Sequence, residues 1–513
     1  MLKKVQSEFV KILIALMFTL IPLYYSYDSY FGYYDIMRDK VRMILLVGSI
    51  ITVIIIVTFI ISFILNIKHK TLLENVKSEI KSIRLLDVVV FVFAVLAIIS
   101  TLLSENRHAS FTGGIAWYVG SGLIILGTVL YFIVSRFFYC KKDIWAYVLF
   151  GAFAVVIIGN LDRMGYDFLE LHDEIPLQYN IFISTIGNVN FWAAFLAMLV
   201  PFFMLAPLFI KNKAAKGIVY LFLLASYFGF FCTLVNGTYM SIAIAGTFIM
   251  YFTLKKVERF YNLAINGILF TIAGAIARVW YLNPDLCRRQ MDVDSISKLL
   301  LDTKLVAVPG VVGVIILALL FIYHGFSEKG QRRVAFVVEK VLTKVWLILV
   351  AAGVVAAIYY VATHYSLELF NYRGSIWYYA VRGFADGSVK DKLIGVGPGL
   401  LDNVTLAQID IDKAAGIEVV WDYFYETAHN DVIEYLVTMG IIGAALKILM
   451  LALPYFMFRK ETEYQVERAA ILAALTGFIG QGLIYGPYPL TYIVYTMFLG
   501  MYVGYGRKGK GKQ

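Results

Sequence analysis

His429 and Asn430 stand immediately before Asp431-Val-Ile-Glu434, where a polar segment gives way to a long apolar one. An unperturbed imidazole titrates near pH 6.5, so at neutral pH it can take a proton from a hydroxyl that is becoming a nucleophile. Asn430 supplies an amide that can orient that ring. Asp431 and Glu434 have the D-x-x-E spacing of a helix start, with Asp431 as the cap and Glu434 as its reciprocal partner. Upstream, Ile376, Trp377, Ala380, Val381 and Phe384 recur at helical spacing, bracketed by Ser375 and Gly387 as start and stop, with Arg373 before the stripe and Arg382 on it. A guanidinium fork matches phosphate oxygens, so an inward-facing arginine here clamps a phosphate or pyrophosphate. The plainer alternative is an interfacial helix whose arginines meet lipid phosphate. Between these pieces Gly395, Gly397 and Gly399 form GVGPG with Pro398. Its spacing is not that of a dinucleotide fingerprint; it suits a tight loop or a backbone cradle.

Something must hold these groups, and the chain is built for a membrane. It has 513 residues, 60% of them hydrophobic and 16% charged, with mean hydropathy +0.77. A soluble protein of this size cannot hide so much apolar surface. Runs of about 18 or more apolar residues cross a hydrocarbon core. About fourteen are expected, near 9–27, 43–66, 86–103, 113–135, 144–160, 187–210, 217–235, 238–254, 260–281, 305–323, 345–364, 431–458, 469–485 and 489–505. The seventh and eighth are separated only by an Asn236-Gly237 turn. The division is then 1–364 with eleven helices, 365–430 as one long loop with an amphipathic helix, and 431–513 with three helices and a basic tail. Arg278 lies near the end of the ninth run and is a candidate for lining a cavity; Lys447, deeper in the twelfth, is expected to snorkel.

Counting Lys and Arg in alternate loops orients the bundle. With the N-terminus in the cytoplasm, the inside loops carry about 28 basic residues and the outside loops about 14. Both ends are then cytoplasmic, and the 365–430 loop is extracytoplasmic. The net charge of +10 is spread over short loops, which points to membrane orientation rather than nucleic acid. Three scattered cysteines, Cys140, Cys232 and Cys287, offer neither a disulfide framework nor a metal spacing, and no two histidines stand at i, i+4. Lys3 and Lys4 before an apolar run, with no small-x-small site after it, read as an uncleaved first membrane helix.

Four pieces of the chain, in order, carry a resemblance. GNVNFWAAFLAMLVP (187–201), Arg373-x-x-x-Trp377, LIGVGPG (393–399) and AHNDVIEYLVTMGIIG (428–443) resemble the motifs of the O-antigen ligase and O-antigen polymerase superfamily. The resemblance implies an all-α, polytopic, C-type glycosyltransferase-like membrane fold in the bacterial cytoplasmic membrane. It implies transfer of a glycan from an undecaprenyl-diphosphate carrier to an acceptor glycan, lipid or wall polymer on the extracytoplasmic face, without metal, nucleotide or other cofactor. It implies roles for His429 and Arg373, and a lesser one for Glu434. The family's Ser-Arg-Gly turn has no arginine at Leu234–Thr238 here, and Val189 stands where the family has proline in GNPN.

On this reading His429 deprotonates or orients the acceptor hydroxyl, Asn430 holds His429 or a sugar hydroxyl, and Glu434 is a sugar contact or only part of the helix cap. Arg373, with Arg278 or Arg382, balances charge on the departing diphosphate. Gly397, Asn188 and Asn190 are further candidates for lining the site, the two asparagines near His429. The rivals are a flippase for lipid-linked oligosaccharide, which calls for two related halves and midplane charge, and a non-catalytic scaffold for glycan assembly.

Overall fold

The computed structural model describes residues 2–26, 33–114, 117–138, 143–172, 181–420, 425–460 and 462–505. Cys140, parts of the 136–142 and 161–186 loops, and the basic tail lie outside them. The described residues are helical with no strand. The helices used below are α1 (Leu2–Phe18), α2 (Tyr33–Lys68), α3 (Leu85–Leu102), α4 (Ser121–Phe137), α5 (Ile144–Arg163), α6 (Val189–Leu205), α7 (Lys213–Cys232), α8 (Asn236–Thr253), α9 (Phe260–Leu282), α10 (Val308–Gly325), α11 (Thr343–Thr363), α12 (Leu369–Asp386), α13 (Val389–Ile394), α14 (Leu401–Ala414), α15 (Asp431–Phe458), α16 (Gln465–Gly482) and α17 (Pro489–Tyr505).

Ten helical stretches among the described residues are long and apolar enough to cross a membrane, including Asp35–Lys68, Glu328–Thr363 and Asp431–Phe458. This is a polytopic helical membrane protein. The other four expected runs are also helices, namely α4, α8, α16 and α17. The turn before α8 differs from expectation. Leu234, not Asn236-Gly237, takes the left-handed backbone (φ 58°), and Asn236 and Gly237 open the helix.

The chain forms two compact units. The first contains 1–151, 366–465 and 482–513. Within it α4 packs along α17, where Gly127 admits Tyr492 and Thr496 and Gly500 sits against Tyr131 and Val134. α3 lies against both α4 and α15. The stripe on α12 is used for packing on the bundle, not for lying on lipid: Ile376 and Tyr379 join Ile409 and Tyr425, while Ala380 joins Leu401, Ala428 and Val437. The second unit contains 152–365 and 466–481. There α9 pairs with α10 through Gly267 and Gly313, each close to a backbone carbonyl of the other helix. Apolar side chains on its helices stand out from the protein, Phe321 at 83% exposure and Ile348 at 68%, as lipid-facing surface does.

One apolar run is not a straight rod. In α15, Gly440 has φ 68° and ψ −175°, a conformation only glycine adopts without strain, and it splits the helix. Asp431 and Lys447 nevertheless form an ion pair at 3.2 Å. Along a straight helix, sixteen residues would hold them roughly 24 Å apart. The chain therefore turns back on itself at Gly440, and α15 is two half-helices.

Candidate functional site

The half-helix before Gly440 begins with a cap that differs from expectation. Asn430, not Asp431, is the cap: its Oδ1 accepts from the backbone N–H groups of Val432 and Ile433 at 3.0 and 3.1 Å. Its Nδ2 donates to the Leu483 carbonyl at 3.3 Å. Both ends of the amide are thus engaged with backbone. Asp431 instead turns inward to Lys447. That lysine does not snorkel; it is fully buried, with the rings of Tyr435, Tyr492 and Tyr495 at 5.0, 5.7 and 4.8 Å from its ammonium. A buried charge persists only when paired, and a partner across the helix break supplies what water would have.

Glu434 is 6% exposed and does not close a box with residue 431. Its Oε2 accepts from the Ala428 N–H at 2.8 Å and the Thr427 hydroxyl at 3.2 Å. It thereby anchors the two residues that precede His429. The Thr427 hydroxyl also accepts from the His429 N–H at 3.4 Å. So anchored, His429 takes φ 48°, which a non-glycine side chain adopts only under constraint. Its ring lies edge-on to Trp117 with centroids 5.9 Å apart, and its buried Nδ1 has no hydrogen-bond partner among the described residues. Burial, and then the charge of Arg373, lower its pKa from 6.5 to about 3. The ring is neutral at physiological pH.

Arg373 follows three consecutive residues, Phe370, Asn371 and Tyr372, with φ of 52°, 59° and 65°. This left-handed stretch lets Gly374 press against the Ser366 carbonyl. Ser375 does not cap the helix from its start as expected; its hydroxyl bonds the Tyr372 carbonyl at 2.8 Å and Tyr425 at 2.9 Å. The turn aims Arg373 at carbonyls. Nε donates to Ile484 and Nη1 to Phe370, both at 2.8 Å, and the guanidinium lies 5.2 Å from the Tyr485 ring. No carboxylate pairs with it among the described residues. Arg382, nine residues along, is salt-bridged to the buried Asp412.

GVGPG is a loop packed on the helix break. With α15 interrupted, the carbonyls of Val437 and Thr438 lose their helical donors. Val396 N–H takes the first at 3.3 Å; Gly397 N–H and the Ser100 hydroxyl take the second at 3.0 and 3.2 Å. A Cβ on Gly395 would collide with the backbone of Thr438 and Met439, and one on Gly440 with Leu393 and Ile394. Gly397, at φ 123°, is closed in by Ser104 and Ser110. It shapes the loop and leaves little room for a ligand at its own Cα.

Beside this junction is a small, partly open cleft. Its walls include Trp117, Glu426, Thr427, Glu434, Tyr435 and Thr438, with Pro398 and Gly399 at one side. His429 is not a wall but touches one, Trp117. The indole of Trp117 donates to Glu426 at 2.7 Å and stacks on Tyr488 at 4.9 Å. Sequence reasoning missed Trp117 and Glu426. They are 309 residues apart, and neither lies in a motif; Trp117 falls inside the expected apolar run 113–135, where an aromatic residue gives no sign of a site.

No protein-family model matches the chain, and no curated protein matches it.

The remaining candidates belong to the second unit. Asn188 is the cap of α6, its Oδ1 accepting from the Asn190 N–H at 2.8 Å. Arg278 lies on α9 with Nη1 buried and without a hydrogen-bond partner among the described residues. In the first unit, then, His429, Asn430, Glu434 and the Gly397 loop come together around the start of α15, and Arg373 is close enough to act on the His429 ring. Arg382 faces Asp412 instead.

Proposed function

We propose that this chain is a membrane glycosyltransferase that moves a glycan from a polyprenyl-diphosphate carrier to an acceptor hydroxyl. The observation that carries the reading is a neutral, partly buried imidazole in the field of an arginine that has no carboxylate partner among the described residues. Arg373 is an unspent cation for a diphosphate, and His429 is a base waiting for an anion. When a diphosphate meets Arg373, it offsets the positive charge that depresses His429, and the ring's basicity rises. The acceptor hydroxyl then attacks the anomeric carbon. The new glycosidic C–O bond forms as the bond to the diphosphate oxygen breaks. The hydroxyl proton goes to His429, and the electron pair leaves on the polyprenyl diphosphate. The resemblance to O-antigen ligases and polymerases points the same way, with an undecaprenyl carrier and a surface glycan as product.

The test is transfer by purified protein in liposomes, from a defined undecaprenyl-diphosphate oligosaccharide to candidate acceptors. Loss of a general base costs about 10²–10⁴ in rate. His429→Ala is expected to lose that much with unchanged folding, and His429→Gln to fail too. Near-normal transfer by both variants overturns the assignment.

The basic-residue asymmetry supports an extracytoplasmic Arg373–His429 region with both termini cytoplasmic, and the resemblance adds a bacterial cytoplasmic membrane to that reading. An impermeant thiol reagent on intact cells is expected to label Ser388→Cys and Asp402→Cys but spare Ser78→Cys; the reverse pattern refutes the orientation.

A transporter of lipid-linked glycan is the second reading. The broken α15 and its buried Asp431–Lys447 pair favour it, since discontinuous helices with internal charge are transporter features. Translocation without transfer in the same liposomes selects it.

A further inference from the structure

The cleft at the helix break has walls of one chemical kind. Glu426 and Glu434 contribute carboxylates, Thr427 and Thr438 hydroxyls, and Trp117 and Tyr435 aromatic rings. No lysine, arginine or histidine is among its walls. A phosphate brought here would meet two carboxylates and no cation, so this is not where a diphosphate rests. A ligand for these walls must donate hydrogen bonds to carboxylates and lay an apolar face on an aromatic ring. A sugar ring does both.

Two buried groups show that the walls have unspent capacity. Tyr435 is 2% exposed, and its hydroxyl has no hydrogen-bond partner among the described residues. Glu434 spends Oε2 on Ala428 and Thr427, while no described residue bonds Oε1. An orphaned buried hydroxyl is costly to the fold, and a ligand hydroxyl bonded to it would offset that cost.

We infer that the cleft walled by Trp117, Glu434 and Tyr435 is a saccharide subsite that receives the acceptor sugar, apart from the cation Arg373 that meets the diphosphate. The word acceptor rests on the transferase reading above; the affinity for a neutral sugar does not. Trp117 links the two places, since it walls the cleft on one side and carries the edge of His429 on another.

The experiment is saturation-transfer NMR on the full chain in detergent micelles. The probes are methyl glucoside, methyl galactoside, methyl N-acetylglucosaminide and, as counter-probe, inorganic pyrophosphate. At least one hexoside is expected to bind, and pyrophosphate is expected not to displace it. Tyr435→Phe keeps the ring and removes one hydroxyl; it is expected to weaken that hexoside about fivefold. Glu434→Gln is expected to weaken it tenfold or more, though it also loosens the 427–429 segment, so Tyr435→Phe is the decisive variant. No hexoside binding, equal binding by wild type and Tyr435→Phe, or displacement by pyrophosphate overturns the subsite. Tyr435-dependent binding in a chain that transfers nothing would sink the transferase reading and keep the subsite. Normal transfer, with an acceptor KM that Tyr435→Phe leaves unmoved, would do the opposite.

Discussion

Arg373 and Arg382 lie nine residues apart on α12, yet they occupy opposite electrostatic situations. Arg382 meets Asp412, 2% exposed on α14, with Asp386 at 3.9 Å. Its charge is cancelled where it stands. Arg373 is held by two carbonyls and a tyrosine ring, which fix its position but leave its charge uncancelled. Residue type made both arginines candidates for a diphosphate. The partner distinguishes them: a cation already neutralised by protein has little left for a substrate.

The most direct way to break that contrast is to replace each guanidinium by an ammonium. Arg373→Lys keeps charge and loses the fork, and loss of one preorganised donor costs about 10²–10³ in rate. That loss is expected in the liposome transfer assay, while Arg382→Lys is expected to transfer within about twofold of wild type and to show a lower melting midpoint. Equal losses by both would erase the distinction.

A third cation extends the comparison. Lys447 is cancelled like Arg382 but deep inside the protein, so removing it should damage the fold. Breaking a buried pair by deleting one partner costs about 3–5 kcal/mol. Lys447→Met is expected to lower the thermal midpoint sharply, and the double change Lys447→Met with Asp431→Leu to recover most of the loss. Full stability in the single variant would mean that Asp431 finds another partner.

The smallest expected effect sharpens the view of Arg373's field. His429 has its pKa lowered to about 3 by burial and then by Arg373. The unfolded chain binds a proton on this ring below about pH 6.5, whereas the folded chain does so only near pH 3. Stability from this group is therefore fully present above pH 6.5 and is lost as pH falls through that window. Between pH 7 and 5 the wild type is expected to lose more thermal stability than His429→Gln. Arg373→Met is expected to narrow the difference. Parallel pH profiles for wild type and His429→Gln would show that the ring is not held neutral.

These contrasts mark what a sequence can and cannot tell. Apolar runs were legible because hydropathy is a sum over many residues and tolerates local error. All fourteen coincide with helices, and ten of these are long and apolar enough to cross a membrane. The break at Gly440 was not legible, because a sum over 28 residues does not register one dihedral. The fate of Lys447 went with it. On a straight helix snorkelling is its cheapest outcome; once the helix reverses, Asp431 is within reach. His429 and Arg373 were legible because their types and placement in a polar stretch are local facts. The Asn430 cap was misassigned to its neighbour, since Asn and Asp compete for the same role one position apart. Trp117 and Glu426 depended on long-range contact that no local pattern encodes.

The reversal at Gly440 also bears on how the protein is made. The stretch before it, nine residues from Asp431 to Met439, measures roughly 14 Å as a helix and is too short to cross a bilayer alone. It also carries a carboxylate at its head. It cannot be handed to lipid as a finished crossing when it leaves the translocation machinery. It must enter together with the stretch behind it, whose Lys447 brings the opposite charge. The longer half, residues 441–458, is long enough to cross but holds Lys447 within it, and that charge is met only when the shorter half brings Asp431.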